Sequence, residues 1–342
     1  MRSFGFALLA VIFVAALGAP WLAPYASDMQ VRGFLNAPPT PPHVLDDTGA
    51  WHAPFIYPWK LTSQLEQRYE QNRSQRVRLF WFSAGRLVVS SDDARMPFFL
   101  LGADSYGRDV FSRLLYGARI SLGLSLAAAA GALIVGAFVG GIAGYAGGLL
   151  DDLLMRASDF VLVLPAMYVA LALRSVLRLV LPPFEVFVLL TGIFAVVGAP
   201  FVARGVRAIV RSEKQLDYGV AAVSLGASHM RLLLRHLLPA ARGFIVVEMV
   251  MLVPAFIVAE ATLSYVGLGF PDPVASWGTM LHDATTVRAF ADFPWLLSPA
   301  AAMFLVVLGL NLVMQHSGIA PVYNVPDESS RRLRTNTNTI RS

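Results

Sequence analysis

A chain that captures or spends chemical energy shows it in a few residue types at fixed spacing. A phosphate-binding loop needs a glycine-rich turn ending in Gly-Lys-Ser/Thr. The only lysines here are Lys60, which follows Trp59, and Lys214, which follows Glu213, so no such loop exists. A zinc protease needs His-Glu-x-x-His. The histidines His43, His52, His229, His236, His282 and His316 stand at no ligand spacing. No Gly-x-Ser-x-Gly elbow occurs. With no cysteine there are no disulfides, thiolate ligands or cysteine nucleophiles. What remains is charge in unusual places. Glu260 lies inside an apolar run, where a carboxylate must face a partner, the bundle interior or a water-filled path. A place on a path and a tie between helices both remain open for it. Glu248 lies nearer the end of the same run. The chain reads as a conduit with no catalytic machinery of its own.

The elements that hold these residues follow from composition. Of 342 residues 56% are hydrophobic and 14% charged. The mean hydropathy is +0.60. A soluble domain carries about 25% charged residues, so the class is a polytopic membrane protein. Six runs approach the ~20 apolar residues of a spanning helix: Phe4–Leu22, Ile120–Tyr145, Phe160–Leu181, Phe184–Ala203, Phe244–Tyr265 and Trp295–Met314. Pro182-Pro183 marks a tight hairpin between the third and fourth. Small residues at Ala15–Ala19 and then Pro20 lie toward the end of the first run, which reads as an uncleaved anchor, with a cleaved leader as the alternative.

Arginine sets the orientation. Arg204, Arg207, Arg211, Lys214, Arg231, Arg235 and Arg242 crowd one loop, and Arg331, Arg332, Arg334 and Arg341 the tail. Arg174, Arg178 and Arg288 stand on the opposite side. Both termini are expected in the cytoplasm, with the segment 23–99 outside. The surplus of +5 charges fits loops and anionic lipid rather than nucleic acid. The division is a first helix (1–22), an external insertion (23–99), a five-helix core (100–316) and a flexible cytoplasmic tail (317–342). The fold class is all-α, with a small mixed α/β insertion between helices 1 and 2. In that insertion a charged helix-like stretch is expected at Leu61–Arg78, then a hairpin of Leu79–Phe82 and Leu87–Ser90 through Gly85. A compact cap and a substrate-receiving surface are both open readings of it.

The arginine-rich loop has internal order. Asp217–Leu225, with Tyr218, Ala221 and Ala222, reads as a short helix ended by Gly226. Ala227 follows, Ser228 can cap a second helix at Met230–Leu238, and Pro239 closes it. Arg231 and Arg235 lie one turn apart on one face. Local physics leaves a rigid protein-docking knob and a lipid-lying amphipathic loop both open.

This loop resembles the coupling motif of ABC-importer permeases. The spacing of Ala221-Ala222, Gly226 and Leu238-Pro239 is similar, with Val220 where the family's usual glutamate falls. Leu101-Gly102-Ala103-Asp104-Ser105-Tyr106-Gly107-Arg108-Asp109 through Arg119-Ile120-Ser121 resembles the signature before the core of dipeptide, oligopeptide and nickel importers, with Ala103 for a usual threonine. Gly140–Gly148 with Asp151-Asp152 and Met155-Arg156 also fits, as does Glu260–Pro271 with Ser276-Trp277-Gly278. The family's acidic ending is replaced by Met314-Gln315-His316-Ser317. The likeness covers about 100–311 and the first helix.

The resemblance implies one permease subunit of an importer in the cytoplasmic (inner) membrane of a bacterium. Its partners would be a second permease subunit, two ATPase subunits, an external substrate-binding protein and membrane lipid. No cofactor belongs to this chain; ATP and Mg would sit on the partner ATPase, which would dock at Asp217–Pro239. Peptide is the implied cargo and nickel the alternative, with an ATP-independent transporter or channel as the competing class. Glu260, Ser264, Gly267, Gly269 and Pro271 are candidates for the translocation path or gate, with a plain turn equally open for Gly267–Pro271. Gly136, Gly140, Gly141 and Gly144 read as a close helix contact. Asp104, Arg108 and Asp109 read as an interfacial anchor, or as a contact for the binding protein, ahead of an amphipathic helix containing Val110, Leu114 and Leu115.

Overall fold

The computed structural model describes residues 2–47, 49–83, 85–90, 96–163, 181–218, 228–284 and 291–314. The chain opens with α1 (Arg2–Leu17) and a short α2 (Ala19–Leu22). Pro20 stands in the first turn of α2, where its missing N–H costs nothing. Four helical segments among the described residues are long and apolar enough to cross a membrane: Val110–Ala146, Pro183–Glu213, His229–Tyr265 and Pro294–Met314. Four of the six expected runs lie within them. The first, at α1 and α2, is a shorter apolar helix with a continuation. The third is described only where α4 (Gly148–Val163) reaches it and at Leu181; residues 164–180 lie outside the described residues.

The core is built on α3 (Val110–Ala146) and α5 (Pro183–Glu213), which pack along their length. Glycine makes this approach possible. A Cβ on Gly136 would meet the Ala199 carbonyl at 2.6 Å, one on Gly140 the Ala203 carbonyl at 2.2 Å, and one on Gly144 the Arg207 carbonyl at 2.6 Å. Backbone cannot retreat as a side-chain tip can, so these helices touch only without side chains there. α7 (Arg242–Tyr265) packs on α3, and α9 (Ser298–Met314) packs on α1 through Gly5 and Gly309.

The insertion departs from one expectation. Leu61–Arg78 forms no helix. It contains parts of β3 (Trp59–Ser63), β4 (Arg68–Gln71) and β5 (Val77–Trp81). β3 and β4 pair antiparallel, Trp59 opposite Gln71 and Lys60 opposite Glu70. The exposure of β4 alternates residue by residue, the period of a strand. The Gln, Glu and Arg content favours helix, but the β3–β4 hairpin and the pairing of β5 with β2 outweigh that weak preference. β5 lies between β2 (Trp51–Ile56) and β6 (Val88–Ser90) in a sheet of order β1-β2-β5-β6, with β1 at His43–Leu45. The β5–β6 hairpin occurs as expected, Leu79 opposite Ser90 and Gly85 at φ +75°. Ile56, Val77, Leu79, Val88 and Phe98 form its core.

Candidate functional site

Three polar constructions stand out, and the sequence suggested parts of each. The first centres on Glu260, which is fully buried. Its Oε1 accepts from Ser264 Oγ and Ser276 Oγ, each at 2.7 Å, and its Oε2 from Ser121 Oγ at 2.9 Å. The Gly278 backbone N–H adds a further bond. Ser264 lies one turn along α7. Ser121 comes from α3, and Ser276 caps α8 (Trp277–Asp283). Ser276 and Thr279 form a reciprocal capping box on α8. The serine oxygens also accept: Ser121 Oγ from Trp277 N and Ser276 Oγ from Thr279 N, both at 3.1 Å. Each hydroxyl proton is thereby directed at the carboxylate, and one acceptor-only group ties three helices.

Close backbone approach completes the cluster. A Cβ on Gly269 would meet Ser264 Oγ at 1.8 Å, and one on Gly278 would meet the Ala261 Cα at 2.7 Å. Past the end of α7, Leu268 N donates to Leu263 O and Gly267 N to Ser264 O, with Gly267 at φ +79°. That is a Schellman turn, which satisfies the last carbonyls of the helix. Pro271 lies beyond this turn, partly exposed. Thus Glu260, Ser264 and Gly269 come together in a closed cluster at one end of α7, with the exposed Gly267 in the turn beside it.

The second construction revises the reading of Asp104–Asp109. α3 does begin at Val110, but the charges before it are not solvated at an interface. Asp104, Arg108 and Asp109 are 3%, 2% and 2% exposed. Arg108 donates to Asp104 Oδ2 at 2.6 Å, Asp272 Oδ1 at 3.1 Å and Asp283 Oδ2 at 2.9 Å. Its guanidinium also lies over the Tyr106 ring at 4.4 Å. The planar fork lets one residue join the neighbouring Asp104 to two carboxylates from a distant segment of the chain. Burial alone would lower the Arg108 pKa, but Asp104, Asp283 and the bond to Asp272 hold it raised. Arg113, 1% exposed, lies 3.5 Å from Asp104 and 3.8 Å from Asp283. Asp109 caps α3, accepting from Ser112 N at 2.8 Å and Ser112 Oγ at 2.5 Å. Burial nevertheless pushes Asp109 up to about 7 and Asp283 up to about 6. Asp272 and Asp283 carried no signal in the sequence, because their partner is more than 160 positions away.

The third construction is the arginine-rich loop. Ala221, Ala222, Gly226 and Ala227 lie outside the described residues. Asp217 and Tyr218 follow the turn after α5, and Tyr218 donates to Glu213, which pushes its hydroxyl up to about 12. Ser228 holds the N-cap position of α6 (His229–Leu232), but its side chain makes no capping bond. The chain continues through a π-helical turn, Leu233–Leu237, and a 3-10 turn, Leu238–Ala241, directly into α7. Pro239 therefore does not close the helix. It sits in the first turn of the 3-10 segment, where proline is tolerated, and the rod runs on.

This rod has two faces. Leu232, Leu233 and Leu237 are buried, and Leu238 packs near Gly141 of α3. Arg231, Arg235 and Pro239 are exposed. A latch that the sequence did not announce holds the start of the rod. His229 Nδ1 contacts the Tyr145 hydroxyl at the end of α3. Lys214 donates to the Tyr145 carbonyl at 2.7 Å and lies over its ring at 4.7 Å. Nearby, Arg207 grips Asp151 with two nitrogens, and Arg204 pairs with Asp159, joining α5 to α4. Among the described residues no cluster of His, Asp and Glu could hold a metal ion.

Comparison with known proteins gives this arrangement a context. Residues 132–317, more than half the chain, match the family described as binding-protein-dependent transport system inner membrane component. The chain is 39% identical over 213 residues to the oligopeptide transport system permease protein OppC of Bacillus subtilis, covering 62% of this chain and 67% of that one. It is 36% identical over 212 residues to the dipeptide transport system permease protein DppC of the same organism, covering 62% and 64%. A longer match, 30% identical over 311 residues, is to the di/tripeptide transport system permease protein DppC of Pseudomonas aeruginosa, covering 90% and 83%. The aligned segment spans about two thirds of the two Bacillus proteins.

Proposed function

The chain belongs to the family of binding-protein-dependent transport system inner membrane components, and on that premise we propose that it is a permease subunit of an ATP-driven peptide importer. The observation that carries the peptide assignment is the match to a di/tripeptide permease along 90% of this chain, insertion included. The chain works as a membrane conduit in a bacterial inner membrane, with six spans, cytoplasmic termini and the 23–99 insertion outside. A second permease subunit completes the path, and a binding protein delivers peptide on the insertion side.

Energy enters from two separate ATPase subunits, which hold ATP and Mg. They dock on the segment 217–239. The exposed Arg231 and Arg235, backed by the buried Leu232, Leu233 and Leu237, support this reading. A rod continuous with α7 carries a push at Arg231 along its axis to the Glu260 cluster, because no loop intervenes to absorb it. Closure of the ATPase dimer then moves α7 against α3 and α8, and the path switches sides.

The test is uptake in a strain deleted for this chain. Labelled di-, tri- and longer peptides should be taken up only when the chain is restored. Retained peptide uptake in the deletion strain, or rescue of Ni²⁺ uptake alone, would overturn the cargo assignment. Failure to co-purify with an ATPase from detergent-solubilised membranes would overturn the coupling.

A further inference from the structure

The tip of the β5–β6 hairpin places three consecutive aromatic residues in the open. Phe80, Trp81 and Phe82 are 50%, 49% and 80% exposed. Phe82 sits at φ +55°, a backbone conformation that bulky side chains rarely adopt. Aromatic rings in water at the end of a sheet make poor structural sense unless something apolar meets them.

The hairpin's attachment says what that is. Phe82 N donates to Leu87 O at 2.9 Å, and Leu87 N donates to Trp21 O at 2.7 Å. Arg86 donates to the Pro24 carbonyl at 2.8 Å. The tip is therefore bonded to the far end of the first apolar helix. α1 and α2 together run from Arg2 to Leu22, which at ~1.5 Å per residue is about the ~30 Å of a bilayer's hydrocarbon core. With Arg2 at one boundary, Trp21 falls at the other. Val14, Leu17 and Trp21, spaced for one helix face, are 65%, 58% and 67% exposed, an apolar stripe that leads up to the hairpin.

We propose that the β5–β6 tip is a membrane-interface anchor, with Phe80, Trp81 and Phe82 seated beside Trp21 among the headgroups and upper acyl chains of the bilayer. Trp and its neighbours suit this layer because their rings are apolar while the indole N–H stays wet. Arg86, beside them in the turn, lies at headgroup level. The anchor fixes the height of the sheet above the membrane through the same strand that forms its core.

Because the chain has no cysteine, the test needs no background removal. Phe82→Cys and Leu65→Cys each receive a nitroxide in the full chain, reconstituted in phosphatidylethanolamine/phosphatidylglycerol vesicles. Leu65, 90% exposed, lies in the turn between β3 and β4 and serves as the aqueous reference. The ratio of oxygen to nickel-chelate accessibility should be severalfold higher at Phe82 than at Leu65. An equal or lower ratio means the tip stands in water and overturns the proposal. A label at Phe82 shielded from both reagents means a protein covers it, and also overturns the proposal. Trp81→Cys repeats the measurement should the Phe82 variant fail to insert.

Discussion

Replacing Glu260 by glutamine should loosen the joint between α3, α7 and α8 by a calculable amount. Three serine hydroxyls and the Gly278 N–H converge on this carboxylate. Glutamine keeps one oxygen and offers an NH₂ in place of the other. Its best orientation keeps the oxygen toward Ser264 and Ser276 and turns the NH₂ toward Ser121. Ser121 Oγ already accepts from Trp277 N, so it can accept once more, but its own proton loses the carboxylate. The bond count is kept, but the Ser121 proton is left buried without an acceptor, a cost of about 1–3 kcal/mol. Alanine removes every acceptor and leaves a cavity, which should cost about 3–5 kcal/mol. Thr262→Ala, on the exposed side of α7, should stay within about 0.5 kcal/mol of wild type. The assay is the fraction of monodisperse protein left after heating in detergent, read by fluorescence size exclusion. The expected order of midpoints is wild type and Thr262→Ala together, then glutamine, then alanine. Glutamine equal to wild type would refute the acceptor-only argument, and alanine no worse than glutamine would refute the tie itself.

Gly140→Leu should prevent the α3–α5 contact, costing more than the ~1–3 kcal/mol of ordinary overpacking because the atom met at 2.2 Å is backbone. Gly192→Ala, at an exposed helix position with nothing within 4 Å, should melt no lower than wild type in the same heating assay. The double change Arg231→Glu and Arg235→Glu, at exposed positions, should leave expression and melting unchanged while abolishing ATPase co-purification and peptide uptake; retained uptake would count against the docking surface. Asp109 and Asp283 have folded pKa values of about 7 and about 6, above the 3.8 of an ordinary aspartate. The native chain then holds more protons than the unfolded one, so their stabilising contribution is full below about pH 4 and is lost as pH rises through 6 to 7. Melting midpoints should fall between pH 5 and 8, and Asp109→Asn with Asp283→Asn should flatten that slope.

How much of this was written in the sequence depends on the range of each interaction. Hydropathy placed α3, α5, α7 and α9, because a spanning helix satisfies its own backbone and needs only apolar length. The glycine spacing on α3 announced a close contact, since a missing Cβ has few other uses at that density. The β5–β6 hairpin was legible from its local turn at Gly85. Tyr145, His229 and Lys214 were not, since nothing in their spacing pairs them before α3, α5 and the start of the rod are placed together.

The misread elements are those decided by partners rather than by local preference. Leu61–Arg78 had helix-forming residues, but its first part folds back on itself as the β3–β4 hairpin and its last residues pair with the strand at 51–56. Asp104–Asp109 read as an interfacial anchor or a binding-protein contact, and its burial was not legible because Asp272 and Asp283, which allow Arg108 to be buried, lie far along the chain. Pro239 read as a stop because proline ends helices locally, yet the 3-10 turn absorbs it and the rod continues. For Glu260 the sequence supplied the constraint, that a carboxylate in an apolar run needs partners. Only the tertiary structure supplied Ser121 and Ser276, because hydrogen bonds between helices depend on which faces meet, and a single strand of letters does not encode which faces those are.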